Sequence, residues 1–181
     1  MYRYEVAAGG KRWRVQDPRP GVWSWHADSS GVVRLGTGWR LGRLRIYYRS
    51  GPDADLRLIE KLKADEIEDK FWDVAQIVSG SDHGHVLHEG PSGRVGLYIF
   101  DLSTREPVEL VYEHPEHDVE SVLFRDGKPV GAFFTDVRDR AHSLDSRYAQ
   151  TPAHSHLPLP HNRLWRLSPA QVHSPLTVPP W

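Results

Sequence analysis

An all-β fold is predicted from three observations: short segments rich in β-branched and aromatic residues, turn signals between them, and a pattern that returns after 52 or 53 residues. Branched and aromatic side chains fill the half-buried face of a pleated strand, whereas Gly, Asp, Ser and Pro interrupt it. A four-stranded propeller blade repeats every 40 to 50 residues or so, so the interval favours an incomplete β-propeller of about two to three four-stranded blades. An antiparallel sandwich with similar hairpins is the competing architecture. The partial propeller is expected over residues 1–150, with its blades between about Arg12 and Asp145.

Taken in order, strands are predicted over residues 32–35, 44–48, 95–100, 108–112, 119–124 and 130–134. In the first copy of the repeat, Gly31-Val32-Val33-Arg34-Leu35 precedes Arg45-Ile46-Tyr47-Tyr48, a turn over 50–55, and Leu56-Arg57-Leu58-Ile59. In the second, Gly84-His85-Val86-Leu87 precedes Leu97-Tyr98-Ile99-Phe100, a turn over 101–106, and Val108-Glu109-Leu110-Val111. A partial third copy begins at Asp126-Gly127-Lys128-Pro129-Val130-Gly131. Between the first two copies Leu56, Ile59, Leu62, Ile67 and Phe71 are spaced roughly as on one helix face, so a short helix or an acidic excursion between blades is expected around residues 62–72. Trp23, Trp25, Ile46, Tyr48, Leu97, Ile99, Val122 and Phe124 are the expected cores between stacked sheets.

Residues 151–181 break the pattern. They contain no Asp or Glu and seven of the 14 prolines. Proline cannot donate to a sheet ladder and blocks helix interiors, so a proline-rich, disordered tail is expected there. An out-of-frame origin for this stretch is a further expectation, tested by whether another frame of the gene encodes the next blade.

Charge excludes some functions. With 23 Lys and Arg against 24 Asp and Glu, no overall field calls for nucleic acid or an anionic membrane, and neither is expected as a partner. Locally Arg34, Arg40, Arg43, Arg45 and Arg49 form a basic run with Trp39, Tyr47 and Tyr48; Asp53, Asp55, Glu60, Asp65, Glu66, Glu68 and Asp69 follow. Both runs are read as solvated strand faces. The absence of Cys excludes disulfides and thiolate chemistry. No apolar run reaches bilayer length and the first residues lack a signal-peptide core, so a soluble chain is expected and its compartment stays unassigned.

Several groups have the residue types of a site. Asp82, His83, His85 and His88 could hold a metal ion, since residues two apart share a strand face, but a solvated hairpin is the preferred reading. His114 and His117 flank Pro115 and are read as surface residues of a connection. Glu113, Glu116, Asp118 and Glu120 could do acid–base work only in a pocket that raises one pKa. Asp136, Arg138, Asp139 and Arg140 are expected to pair across a turn, and Gly9-Gly10-Lys11 lacks the rest of a phosphate loop. No catalytic, cofactor or metal residue is assigned.

Three longer stretches carry a resemblance: residues 71–87, Gly96-Leu97-Tyr98-Ile99-Phe100-Asp101-Leu102-Ser103-Thr104-Arg105, and Leu110-Val111-Tyr112-Glu113-His114-Pro115-Glu116-His117-Asp118-Val119. With Gly21-Val22-Trp23-Ser24-Trp25, Gly31-Val32-Val33-Arg34, Gly127 to Asp136 and Leu144-Asp145, they resemble the propeller of prolyl oligopeptidase family serine peptidases, of the acylaminoacyl-peptidase or dipeptidyl-peptidase kind. The match covers about residues 15–148. It implies a gating domain that admits short peptides to a hydrolase domain, which would be its partner. The nucleophile of such a hydrolase sits on a G-x-S-x-G elbow, and this sequence contains none, so the resemblance implies a piece that is not catalytic by itself. A free-standing interaction module using Trp39 to Arg49 is the alternative. Exposed blade edges imply self-association or marginal stability.

Overall fold

Local hairpins build every sheet of this chain. The computed structural model describes residues 1–5, 10–67 and 72–145. The proline-rich stretch 151–181, with His154, His156, His161 and His173, lies outside the described residues, as do Glu68, Asp69 and Phe71. β1 (Tyr2–Glu5) pairs with β2 (Lys11–Arg14). β3 (Val22–Ala27), β4 (Val33–Arg40), β5 (Arg43–Tyr48) and β6 (Arg57–Leu62) form a first four-stranded sheet. β7 (Trp72–Ile77), β8 (His83–Glu89), β9 (Val95–Asp101) and β10 (Glu106–Tyr112) form a second; β11 (Ser121–Arg125), β12 (Lys128–Thr135) and β13 (Asp139–Ser143) form a three-stranded third. All pairings are antiparallel between consecutive strands, and none of these sheets closes on itself. The fold is all-β, as predicted. By contacts the described chain divides into two units, residues 1–64 and 65–145.

In the first unit two hairpin turns show how sequence sets register. Asp28 Oδ1 accepts bonds from the Ser30 amide, the Ser30 hydroxyl and the Val32 amide, so one carboxylate folds the β3–β4 turn. Leu41 and Gly42, at φ 53° and 70°, make the two-residue β4–β5 turn, whose positive φ values match strand twist. β4 runs through Gly36 and Gly38 to Arg40, well past the predicted end at Leu35. Those glycines are places of close approach: the Trp25 ring lies over Gly36, and the Gly21–Val22 backbone lies against Gly38.

Two expectations fail in this unit. Arg34, read as part of a solvated basic face, is 1% exposed. Its guanidinium donates to Asp28 Oδ2 at 3.3 Å, to the Tyr48 hydroxyl at 2.9 Å and to the Arg49 carbonyl at 2.8 Å. Trp23, expected in the core, is 63% exposed because a bulge between Val22 and Ser24 shifts the alternation of β3. Leu58 and Ile59 lie in β6, where the repeat places a strand, and Leu62 ends it; of the stretch 62–72, the described residues after β6 include a 3₁₀ turn at Ala64–Glu66 and a helical residue at Ile67. Ile46 and Tyr48 are buried as predicted, and Trp25 is half-buried.

The second unit packs its two sheets face to face over Leu87, Leu97, Val119 and Ala132, with Val95, Val111, Tyr112, Val122 and Leu144 around them. Leu97 is buried as expected, whereas Ile99, Val122 and Phe124 are half-buried. The crossing from β10 to β11 is stitched to the second sheet at Val95: its amide donates to Asp118 Oδ1 and its carbonyl accepts from the Val119 amide, both at 2.8 Å. Asp101 folds the β9–β10 turn as Asp28 folds its own. Its Oδ1 takes the Ser103 hydroxyl and the Ser103 and Thr104 amides, bonds that hold its carboxyl below the ordinary range. Asp126 and Gly127 make the two-residue β11–β12 turn at φ 50° and 77°.

Candidate functional site

Polar chemistry in the second unit gathers where its two sheets meet. Alternation along β8 puts His83, His85 and Leu87 on one face. Leu87 belongs to the core shared with the third sheet, so His85 points the same way, and its ring meets Phe124 of β11 edge-on at 5.1 Å. His85 is 7% exposed, which corrects the solvated-hairpin reading; His83, at the strand's start, is exposed. The cross-strand neighbour of His85 is Gln76, 8% exposed. Neither His85 Nδ1 nor Gln76 Oε1 has a hydrogen-bond partner among the described residues.

Burial lowers the His85 pKa, because an imidazolium there would lose its hydration. The unfolded chain therefore takes up a proton near the ordinary imidazole value of about 6.5 that the folded chain resists. Stability is complete above that value and is lost as pH falls below it. His85→Phe should flatten the acid loss, read from urea midpoints at about pH 7.5 and pH 5.5, a range in which imidazoles change charge and carboxylates do not.

The opposite face of the second sheet is aromatic. His88 meets Tyr98 and Phe100 edge-on, both at 5.7 Å, and Trp72 stacks on Phe100 at 5.3 Å. Burial raises the Tyr98 pKa, with the Glu113 carboxylate adding to the effect. His83 and His85 thus face away from His88. Among the described residues no three His, Asp or Glu side chains come together to hold a metal ion.

The connection after β10 supplies the other half of the junction. His114 and His117 stack on each other at 5.0 Å and on Phe134 of β12 at 4.1 and 5.6 Å. His114 Nδ1 accepts the Glu116 and His117 amides at 3.2 and 3.1 Å. Tyr112 of β10 stacks on His142 of β13 at 4.5 Å. The pairs His85–Phe124, His114–Phe134, His117–Phe134 and Tyr112–His142 link the second sheet or its outgoing connection to the third. No protein-family model, curated protein or solved structure matches the chain.

The carboxylates around this junction are committed to structure. Glu113 Oε2 takes the Ser92 hydroxyl at 2.8 Å and Asp118 holds Val95, while Glu116 and Glu120 face solvent. Asp136 accepts the Arg138 amide and pairs with Arg140 at 3.0 Å, the expected turn; those bonds hold its carboxyl low. Elsewhere an open depression of about 310 Å³ lies among Arg14, Val15, Gln16, Asp17 and Arg49, with Arg14 paired to Asp17 at 2.9 Å. In the first sheet Arg19 sits over the Tyr47 ring at 4.1 Å, while Trp39 and Leu41 are 37% and 81% exposed. Sequence reading missed Phe134 and His142 as members of the junction, because their partners come from an earlier sheet or connection, and Gln76 because the pairing of β7 with β8 is what sets it beside His85.

Proposed function

We propose that this chain is a partial propeller of the prolyl oligopeptidase type, belonging to the domain that gates access of short peptides to a hydrolase domain. One observation carries this reading. Antiparallel meanders of four, four and three strands follow one another in chain order, their first strands starting at Val22, Trp72 and Ser121, close to the spacing of the sequence repeat. Successive meanders with face-to-face cores are how blades bury surface that one blade alone cannot. In the second unit the core at Leu87, Leu97, Val119 and Ala132 supplies that burial. On this reading the chain supplies gating surface, not a nucleophile. The test is the DNA around this reading frame together with an assay on short chromogenic peptides. Flanking frames encoding further four-stranded repeats and a G-x-S-x-G domain, with no turnover by the chain alone, are the expected result. Turnover by the purified chain would refute it.

A free-standing interaction module is the second reading, favoured by the exposed Trp23, Trp39 and Leu41 beside Arg40 and Arg43. Exposed aromatics flanked by arginine are typical of binding hot spots. Capture of a defined partner that is lost with Trp39→Ser and Leu41→Ser would select this reading.

A further inference from the structure

We propose that the junction between the second and third sheets is an acid-sensitive latch, in which His114 holds the connection over residues 113–118 on Phe134 only while its Nδ1 is unprotonated. The geometry at Nδ1 carries the inference. That atom accepts two backbone N–H groups, from Glu116 and His117. An imidazole nitrogen that accepts carries no hydrogen, so the proton of the neutral ring is on Nε2. Protonation turns Nδ1 from acceptor to donor, and both bonds must break. The freed amides and the N–H of the cation then point at one another, and the turn around Pro115 has to open.

What the turn holds gives the event a wider reach. The same connection carries Asp118, which receives the Val95 amide, and Val119, whose amide binds the Val95 carbonyl and whose side chain is 1% exposed in the shared core. The Glu120 amide continues onto Phe133 of β12 at 2.8 Å. Opening at His114 therefore pulls on the strand crossing itself. The other bridging pairs, His85 with Phe124 and His142 with Tyr112, join the same two sheets.

Other charged groups lie on the neighbouring elements. On the connection itself are Glu113, Glu116, His117 and Asp118; the β8–β9 turn brings Arg94, and β13 and its turn bring Asp136, Asp139, Arg140 and His142. Glu113 and Asp118 spend oxygens on Ser92 and Val95, and Asp136 is paired with Arg140. The latch holds at neutral pH and releases toward acid.

The experiment is NMR on the full chain between about pH 7.5 and pH 5.5, a range in which exposed imidazoles change charge and carboxylates do not. The His114 ring, the Glu116 and His117 amides and the exchange protection of the Val119 amide are followed together. Their shifts should share the midpoint of the His114 ring, and Val119 protection, corrected for intrinsic rate, should drop about tenfold or more while Ile46 in the first sheet changes little. Asn places an oxygen acceptor near the position of Nδ1 and does not titrate, so His114→Asn should keep the amide bonds and abolish the response. His85→Phe should leave the Glu116 and His117 response in place. A Val119 amide indifferent to pH, or an equal response in His114→Asn, overturns the proposal. Should His114→Asn not fold, the wild-type midpoints decide: loop amides that titrate apart from the His114 ring overturn it equally.

Discussion

Arg34→Met is expected to destabilise the first sheet by about 3 to 5 kcal/mol, the cost of leaving one member of a buried ion pair without the other. Arg34 and Asp28 have side chains only 1% and 3% exposed, and they meet at 3.3 Å. Methionine fills much of the same volume, so the change leaves a small cavity and isolates the charge effect. Asp28 does two jobs with separate atoms. Oδ1 folds the β3–β4 turn through Ser30 and Val32, and Oδ2 meets Arg34. Asn in place of Asp28 keeps an oxygen for the turn and removes the charge. The double variant Arg34→Met, Asp28→Asn should therefore recover about half of the loss, in the manner of a coupled pair. Urea unfolding of the two single variants and the double variant measures this. A double variant no more stable than Arg34→Met would mean that packing and the lost bonds to Tyr48 and Arg49, rather than stranded charge, set the cost.

The same arginine marks where sequence reading reaches its limit. Strands whose side chains announce themselves were legible: β5, β9, β10 and β12 fall within a few residues of prediction, because Ile46, Tyr98, Val108 and Phe133 sit in runs of branched or aromatic neighbours. β13 was not, since Asp139, Arg140, Ala141, His142 and Ser143 have no strand preference of their own; they are a strand because Phe133 and Phe134 of β12 pair with them. Part of the spacing of three that suggested a helix, at Ile59 and Leu62, falls in β6, where Ile59 is the extra residue opposite Ile46 and Tyr47. Trp23 was misplaced for the same kind of reason, one inserted residue reversing the alternation. Arg34 reads as surface because arginine almost always is, and only the fold brings Asp28, Tyr48 and the Arg49 carbonyl around it.

The junction histidines follow the same logic. His114 and His117 were recognised as residues of a connection, and that is where they lie, but their value comes from Phe134, which reaches them across the sheet interface. His85 looked like part of a solvated hairpin because Ser79, Gly80, Ser81 and Asp82 precede it. The strand begins at His83, and two residues later the side chain is already inside.

Gly38→Ala is expected to be as severe as the loss of Arg34, at about 3 kcal/mol from overpacking, although it adds a single methyl group. Gly38 is not at positive φ, so its requirement is for space rather than for an unusual backbone. A Cβ there would stand 2.0 Å from the Gly21 carbonyl oxygen and 2.5 Å from Val22 Cα. Both obstacles are backbone, so no side chain can swing away, and β3 itself has to move off β4. That movement also breaks the bond from the Trp39 amide to the same Gly21 oxygen, now 2.8 Å. Gly42→Ala is the matched comparison. Nothing lies within 4 Å of its Cβ, and only its φ of 70° resists the methyl, which costs about 1 to 2 kcal/mol. Urea midpoints should rank Gly38→Ala well below Gly42→Ala, and faster amide exchange in Gly38→Ala should concentrate in β3 and β4. Equal losses would place the demand on backbone conformation; a selective loss at Gly38 makes the contact of β3 with β4 the reason this strand tolerates glycines that read as turns.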